Sequence, residues 1–245
     1  MILTLDAGNS RTKWAVFDSN GMILSQGAID NGLIPDLKVP IPGWRNCSRA
    51  VISNVAGARI GQQLQTLCQQ LGLQPRSIKA TAAACGVSNH YLSPEQLGAD
   101  RWAALVAAWN RFRVPCVVAM AGTALTVDAL SADGEFLGGL IVPGWRMMNT
   151  SLATGTAELT EATGQLRQFP LRTQDAICSG TWLAMAGAVE SMVSSLAARE
   201  QQAPLCILSG GDATGLKAAL SSPAEIIDNL VLQGLWLIDG ETREV

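Results

Sequence analysis

The opening residues alternate between apolar runs and polar breaks in a way that recurs later in the chain. Residues 2–7 (Ile-Leu-Thr-Leu-Asp-Ala) run into a turn at Gly8. A second apolar run, "KWAVFD", comes next, then the polar pair Asn20-Gly21, then a third run, "MILSQGAI". Strand, turn, strand, Asn-Gly hairpin and strand predict an antiparallel three-stranded meander. The second half repeats the scheme with "VPCVVAMAG", "ALTVDAL", the pair Asp133-Gly134 and "EFLGGLIV". Gly8 and Gly122 stand 114 positions apart, and the hairpin glycines Gly21 and Gly134 stand 113 apart. Five matched pieces at a near-constant offset indicate an internal duplication.

After each meander the pattern alternates between helix and strand. "RAVISNVA" reads as a strand, "RIGQQLQTLCQQLGL" as an amphipathic helix, and the region near Ile78 as a short strand. "PEQLGADRWAALVAAWNRF" predicts a helix with Pro94 and Glu95 in its first turn, stopped by Val114-Pro115. In the second half, "SGTWLAMAGAVESMVSSLAAREQQ" predicts a long helix, "PLCILSGG" a strand and "NLVLQGLWLIDG" a closing helix. The expected organisation is therefore two α/β halves, residues 1–113 and 114–245, with a ligand cleft at their junction.

Composition narrows the function classes. The chain has 245 residues, 48% of them hydrophobic, and a net charge of −3 without a lysine-rich block. A nucleic-acid role has no electrostatic footprint here. The apolar stretch Val114 to Val127 is shorter than the roughly 20 residues a membrane helix needs. No basic region precedes the first apolar run, so no secretory signal is expected and the location is read as cytoplasmic. The six cysteines form no CxxC pair and read as reduced core residues. With His90 as the single histidine, a histidine metal site or a serine–histidine–aspartate triad lacks its parts.

The first turn does carry chemistry. Glycine lets backbone N–H groups approach an anion, Asn9 and Ser10 add donors, and Lys13 adds a cation suited to phosphate. Asp6, at the strand end, offers carboxylate oxygen to Mg²⁺. The second turn, Gly122-Thr123, supplies a matching element. Neither a Walker A loop nor a GxGxxG fingerprint is present. Each piece has a plain structural reading too: a turn aspartate, a helix-start carboxylate at Asp100, a helix-start hydroxyl at Thr181.

Taken together, the residues resemble the actin-like ATPase superfamily, and within it type III pantothenate kinase. That family opens on Asp-x-Gly-Asn-Thr-x-x-Lys, matched here by Asp6, Gly8, Asn9, Ser10 and Lys13. Its Gly-x-Asp-Arg element is matched by Gly98, Asp100 and Arg101, its second phosphate turn by "MAGTALTVD", and its Gly-Gly…Pro-Gly stretch by "GGLIVPGW". The resemblance implies a duplicated ribonuclease-H-like α/β fold, each lobe a mixed five-stranded sheet flanked by helices. It implies transfer of the ATP γ-phosphoryl to pantothenate. Asp100 would be the catalytic base. Tyr91, Gly98, Ala99, Asp100, Arg101 and Thr181 would bind pantothenate, with Thr181 donating to it. Asp6, Ala7, Gly8, Asn9, Ser10, Arg11, Thr12, Lys13 and Thr123 would bind ATP, with Mg²⁺ on Asp6. "SGGDA" (Ser209 to Ala213) is similar to the superfamily's adenosine turn. The family's second turn begins with an aspartate that helps hold K⁺ or NH₄⁺; here that position is Met120, a poor ligand for a hard cation, so a weaker or absent monovalent-cation requirement is expected. A homodimer is expected, with neither nucleic acid nor membrane as partner. The alternatives are a non-catalytic ligand-binding or regulatory member of the same fold and a kinase for another polyol or a sugar.

Overall fold

In the computed structural model, described for residues 1–37, 41–161 and 163–241, the opening meander is formed by β1 (Ile2–Ala7), β2 (Arg11–Phe17) and β3 (Ile23–Asp30). Both pairings are antiparallel. Gly21 adopts φ +82, the left-handed geometry that the hairpin requires and glycine tolerates. β4 (Arg49–Asn54) then lies parallel to β1, and β5 (Gln74–Ser77) parallel to β4, giving the order β3-β2-β1-β4-β5. The crossover between β4 and β5 is α1 (Ala58–Gln70), which buries Ile60, Leu64, Leu67 and Cys68, one stripe at helical spacing.

The period-2 alternation of β2 divides its side chains between two faces. Trp14 and Val16 join Leu3, Leu5, Ile52 and Leu64 on the α1 side. Ala15 and Phe17 face the opposite way and pack on Leu232. Leu232 belongs to α6 (Leu230–Glu241), the C-terminal helix, which packs on β1, β2 and β4.

The chain divides into two packed units: Met1–Arg111 together with the chain from Asn229 onward, and Phe112–Asp228. The sequence-based division at residues 113 and 114 places the last helix in the second half, whereas the fold assigns it to the first. The reason is burial. Leu230, Val231, Leu232, Leu235 and Ile238 are each at most 5% exposed, and burying one such side chain stabilises by about 1.5–3 kcal/mol. Gly234 is required by the same packing: a Cβ there would overlap the backbone of Ala103.

Ala103 lies in α2 (Ala99–Phe112), which is buried along nearly its whole length. This helix is shorter than its pattern suggests. Pro94–Gln96 form a separate 3₁₀ turn, Leu97 is extended with its side chain buried, and α2 begins only at Ala99. Asp100 therefore sits in the first turn of the helix. Just upstream, β6 (Ala83–Ala84) and β7 (Val87–Asn89) form a short hairpin turning on Cys85 and Gly86, both at positive φ. Five of the six cysteines are buried and all six are free thiols. Cys85 departs from the core reading, since it is partly exposed and its N–H donates to Glu241 Oε1 at 2.7 Å.

The second unit repeats the plan. β8 (Cys116–Ala121), β9 (Ala124–Leu130) and β10 (Glu135–Pro143) form the meander, Gly134 turning at φ +80. β11 (Leu205–Ser209) adds parallel to β8, and β12 (Glu225–Ile226) parallel to β11, so these strands run β12-β11-β8-β9-β10. α3 (Trp145–Gly155), α4 (Thr173–Glu200) and α5 (Ala213–Ala219) accompany them. α4 is long and apolar enough to cross a membrane by length and composition. Here it packs Met185, Ala186 and Val189 against the β8–β9 core, which accounts for that apolarity.

Candidate active site

The turn between β1 and β2 closes by a bond from Gly8 N–H to Arg11 O at 3.1 Å. Its carbonyls are gathered from behind by one residue, Asn31, which is 7% exposed. Asn31 Nδ2 donates to Gly8 O (2.7 Å) and Asn9 O (3.2 Å), its N–H donates to Ser10 O (3.2 Å), and its Oδ1 accepts from the Thr12 hydroxyl (2.8 Å). Three successive carbonyls are thus committed to one side, the arrangement that leaves a turn ready to meet an anion with its amides. Nothing in the sequence pattern marks Asn31, since its partners are 19 to 23 residues away.

The residues of this first motif do not all face the same way. Asn9, Ser10 and Arg11 are exposed, and Arg11 pairs with Asp30 at 2.9 Å. Ala7 and Thr12 are fully buried, so their side chains support the turn from inside. Asp6 and Lys13 stand opposite each other across β1 and β2. Asp6 Oδ1 is closed off from solvent and has no hydrogen-bond partner. Burial, and secondarily the negative charge of Asp100, push the Asp6 carboxyl up to about 7, while Lys13 and the Ser53 hydroxyl pull it back. Ser53 acts from close range without completing a hydrogen bond, because its Oγ is also unpartnered.

Asp100 is raised above the usual carboxylate range by burial, opposed by the neighbouring Arg101 amide and guanidinium. Its Oδ1 accepts from Arg101 N–H at 2.8 Å. Arg101 is 5% exposed. Its Nη1 donates to the Tyr91 hydroxyl at 3.2 Å. Tyr91 is held by Asn89, whose Oδ1 accepts from Tyr91 N–H while its Nδ2 donates to Thr81 O and Pro94 O. Asn89 is a second supporting residue that the sequence pattern does not mark. Gly98 has a steric reason to be glycine: a Cβ there would lie 2.5 Å from Asp100 Oδ1. Ala99 is buried at the head of the helix.

The first unit thus gathers Asp6, Lys13 and Asp100 into one electrostatic cluster, and Tyr91, Gly98, Asp100 and Arg101 into one bonded group. The chemistry of the cluster suits a divalent cation. Two hard carboxylates lie within electrostatic range of each other, burial raises both against the pull of Lys13 and Arg101, and one holds an orphaned oxygen.

Thr123 and Thr181 belong to the second unit. Thr123 is exposed on the β8–β9 turn, which closes from Gly122 N–H to Ala124 O at 3.1 Å. Gly144 passes directly beneath this turn and donates to Thr123 O at 3.0 Å; a Cβ at Gly144 would strike the carbonyls of Gly122 and Thr123. That contact is the physical content of the "VPGW" motif. Gly210, at φ +102, fits against the Ala121 backbone in the same manner, within "SGGDA". Met120 is partly buried in β8, in register with Thr126 and Ser209. Thr181 is 4% exposed on α4 and lines a cleft of about 570 Å³ with residues of α3 and α4.

Comparison with known proteins gives the chain a family and a fold. The family model for type III pantothenate kinase matches residues 2–195. The type III pantothenate kinase of Methylobacillus flagellatus is 45% identical, covering 97% of each chain. That of Nitrosospira multiformis is 46% identical over all of this chain and 93% of its own. Among solved structures, a Campylobacter jejuni protein assigned to the Baf family of transcriptional activators superposes with a TM-score of 0.66 at 20% identity, covering 99% of this chain and all of its own. A ROK family glucokinase from Streptomyces griseus, in complex with glucose and AMPPNP, gives 0.52 at 11% identity, covering 99% of each. These structural likenesses establish the fold, a duplicated α/β architecture shared with kinases of the actin-like type. On the sequence match, the chain belongs to the type III pantothenate kinase family.

Proposed function

We propose that the chain transfers the γ-phosphoryl group of ATP to the primary hydroxyl of pantothenate, giving 4'-phosphopantothenate, the first step of coenzyme A biosynthesis. The observation that carries this reading is the cluster of Asp6, Lys13 and Asp100, in which burial raises both carboxyls and one oxygen of Asp6 is left without a partner. Two buried acids beside the bonded Arg101–Tyr91 pair favour turnover over a purely ligand-binding module.

In this reading, Arg101 and Tyr91 anchor pantothenate, the fixed guanidinium fork meeting its oxygens. The Arg101 amide holds Asp100 Oδ1, which orients Oδ2 as the oxygen that accepts the proton. The hydroxyl oxygen forms its bond to the γ-phosphorus, the bond from that phosphorus to the bridging oxygen breaks, ADP leaves, and the alcohol proton passes to Asp100. A base with a raised pKa accepts that proton more readily. Asp6 would hold Mg²⁺, which when bound neutralises phosphate charge. Asn9, Ser10, Lys13 and the backbone of the first turn would cradle phosphate oxygens, with Thr123 contributing from the second turn and Thr181 contacting pantothenate. Arg11 and Thr12 act differently in this reading: Arg11 guards the rim through Asp30, and Thr12 supports the turn through Asn31.

We further propose a cytoplasmic homodimer acting without nucleic acid or membrane. Exposed apolar residues in the second unit, among them Ile141, Phe169, Leu171 and Leu183, support the dimer. The net charge of −3 speaks against a DNA-facing role. The thioether of Met120 supports a weak or absent demand for K⁺ or NH₄⁺.

The test is a coupled ADP-release assay with and without pantothenate, run beside Asp100→Asn. Pantothenate-dependent turnover should fall at least about a hundredfold in the variant, the scale of a general base. No ADP release above background would favour the non-catalytic reading, and release stimulated by another polyol but not by pantothenate the alternative-polyol reading.

A further inference from the structure

Two buried polar side chains meet where α3 packs on α4. Asn149 is 3% exposed and Thr181 4%. Asn149 Nδ2 donates to Trp145 O at 2.7 Å. A carbonyl only accepts, so the carboxamide cannot be turned the other way. The second hydrogen of Nδ2 is directed to Thr181 Oγ1 at 3.4 Å. Thr181 must accept that bond, and its own proton goes one turn back to Ile177 O at 3.0 Å. A hydroxyl has one proton and two lone pairs. With the proton and one pair committed, only a lone pair remains. Asn149 Oδ1, also an acceptor, is buried without a partner. Thr181 lines a largely apolar cleft with Met148, Leu152, Ala176 and Ile177, where Ser151 and Thr173 also stand.

We infer that Asn149 is a positioning residue that makes Thr181 an obligate hydrogen-bond acceptor. The group of pantothenate that meets Thr181 is then a donor, its amide N–H or its secondary hydroxyl, and not its carboxylate. This rests on the reading of Thr181 as a pantothenate contact, and it reverses the donor role expected from sequence.

The experiment measures kcat and KM for pantothenate and for two analogues, one with an ester in place of the amide and one lacking the secondary hydroxyl. The enzymes are the wild type, Thr181→Val and Asn149→Leu. The wild type should show KM about tenfold higher for the analogue missing the relevant donor, the scale of one neutral hydrogen bond. Thr181→Val should raise the pantothenate KM by a similar factor, leave kcat within about twofold, and no longer distinguish that analogue. Asn149→Leu should raise KM about threefold and lose most of the discrimination, because the Thr181 hydroxyl is then free to turn. Full discrimination retained in Asn149→Leu overturns the role of Asn149. Equal KM for all three compounds in the wild type overturns the acceptor assignment. An unchanged pantothenate KM in Thr181→Val removes Thr181 from the site, and the inference with it, while leaving pantothenate-dependent turnover intact. Should Asn149→Leu fail to fold, Asn149→Ser answers the same question, and the analogue series on the wild type and Thr181→Val still decides the polarity.

Discussion

Replacing Asp6 by asparagine should stabilise the folded chain while removing its activity. The two side chains have the same shape, so the change is electrical. Asp6 is held at about 7 in the folded state against an ordinary 3.8. The folded state therefore binds more protons than the unfolded state between those values. Its stability falls as pH rises through this window, and the loss is complete above about pH 7. An interval of about three pH units corresponds to about 4 kcal/mol. The residue retains partial solvent contact, which trims the effect to about 2–3 kcal/mol. Asparagine cannot ionise and escapes the loss. Its amide leaves new polar atoms to satisfy, but that cost does not depend on pH, so the informative quantity is the slope. Urea unfolding of both proteins in EDTA buffer, followed by far-UV circular dichroism and tryptophan fluorescence from pH 4 to pH 8.5, measures it. The stability difference should move in favour of Asp6→Asn by about 2–3 kcal/mol across pH 4 to 7 and then level off. Parallel pH curves for the two proteins would refute the burial argument. Pantothenate-dependent turnover of the variant should fall at least about a hundredfold at saturating Mg²⁺-ATP.

Other perturbations probe the supporting residues. Gly98→Ala forces the Asp100 carboxylate off its position, and a displacement near 1 Å can cost about a hundredfold; kcat should drop at least about tenfold while the KM for ATP stays within about twofold. Asn31→Ala releases the carbonyls of Gly8 and Asn9 and the Thr12 hydroxyl; urea unfolding should show a loss of about 1–3 kcal/mol, and steady-state kinetics a raised KM for ATP with little change for pantothenate. With Met120 at the second turn, initial rates in tris buffer should change less than about twofold on adding K⁺; strong activation would count against the thioether argument.

Local pattern makes much of the fold readable. The duplicated meanders, their Asn-Gly and Asp-Gly turns, α1 and the strand "PLCILSGG" all depend on neighbours close in sequence, where period and turn chemistry decide the outcome. The Asp6, Lys13, Asp100 and Arg101 positions are visible because fixed spacings in motifs survive without knowledge of the packing. The start of α2 is not legible in the same way. Pro94 is an acceptable first-turn residue for a helix of either kind, and only the burial of Leu97 separates the 3₁₀ turn from the α-helix beyond it.

The sequence by itself determined the periodicities, the repeated turns and the inventory of acids, bases and glycines near them. Tertiary structure alone decided that the last helix completes the first unit, that Asn31 and Asn89 hold the two candidate binding segments, that Thr12 points inward, and that Thr181 has only a lone pair to offer. The closing helix, Asn31 and the Asn149–Thr181 pair depend on contacts between residues far apart in the chain, while Asn89 bonds only two to eight residues away but through a fold that a periodic pattern does not describe. Burial and hydrogen-bond direction belong to such contacts, and no local pattern of hydrophobic and polar positions encodes them.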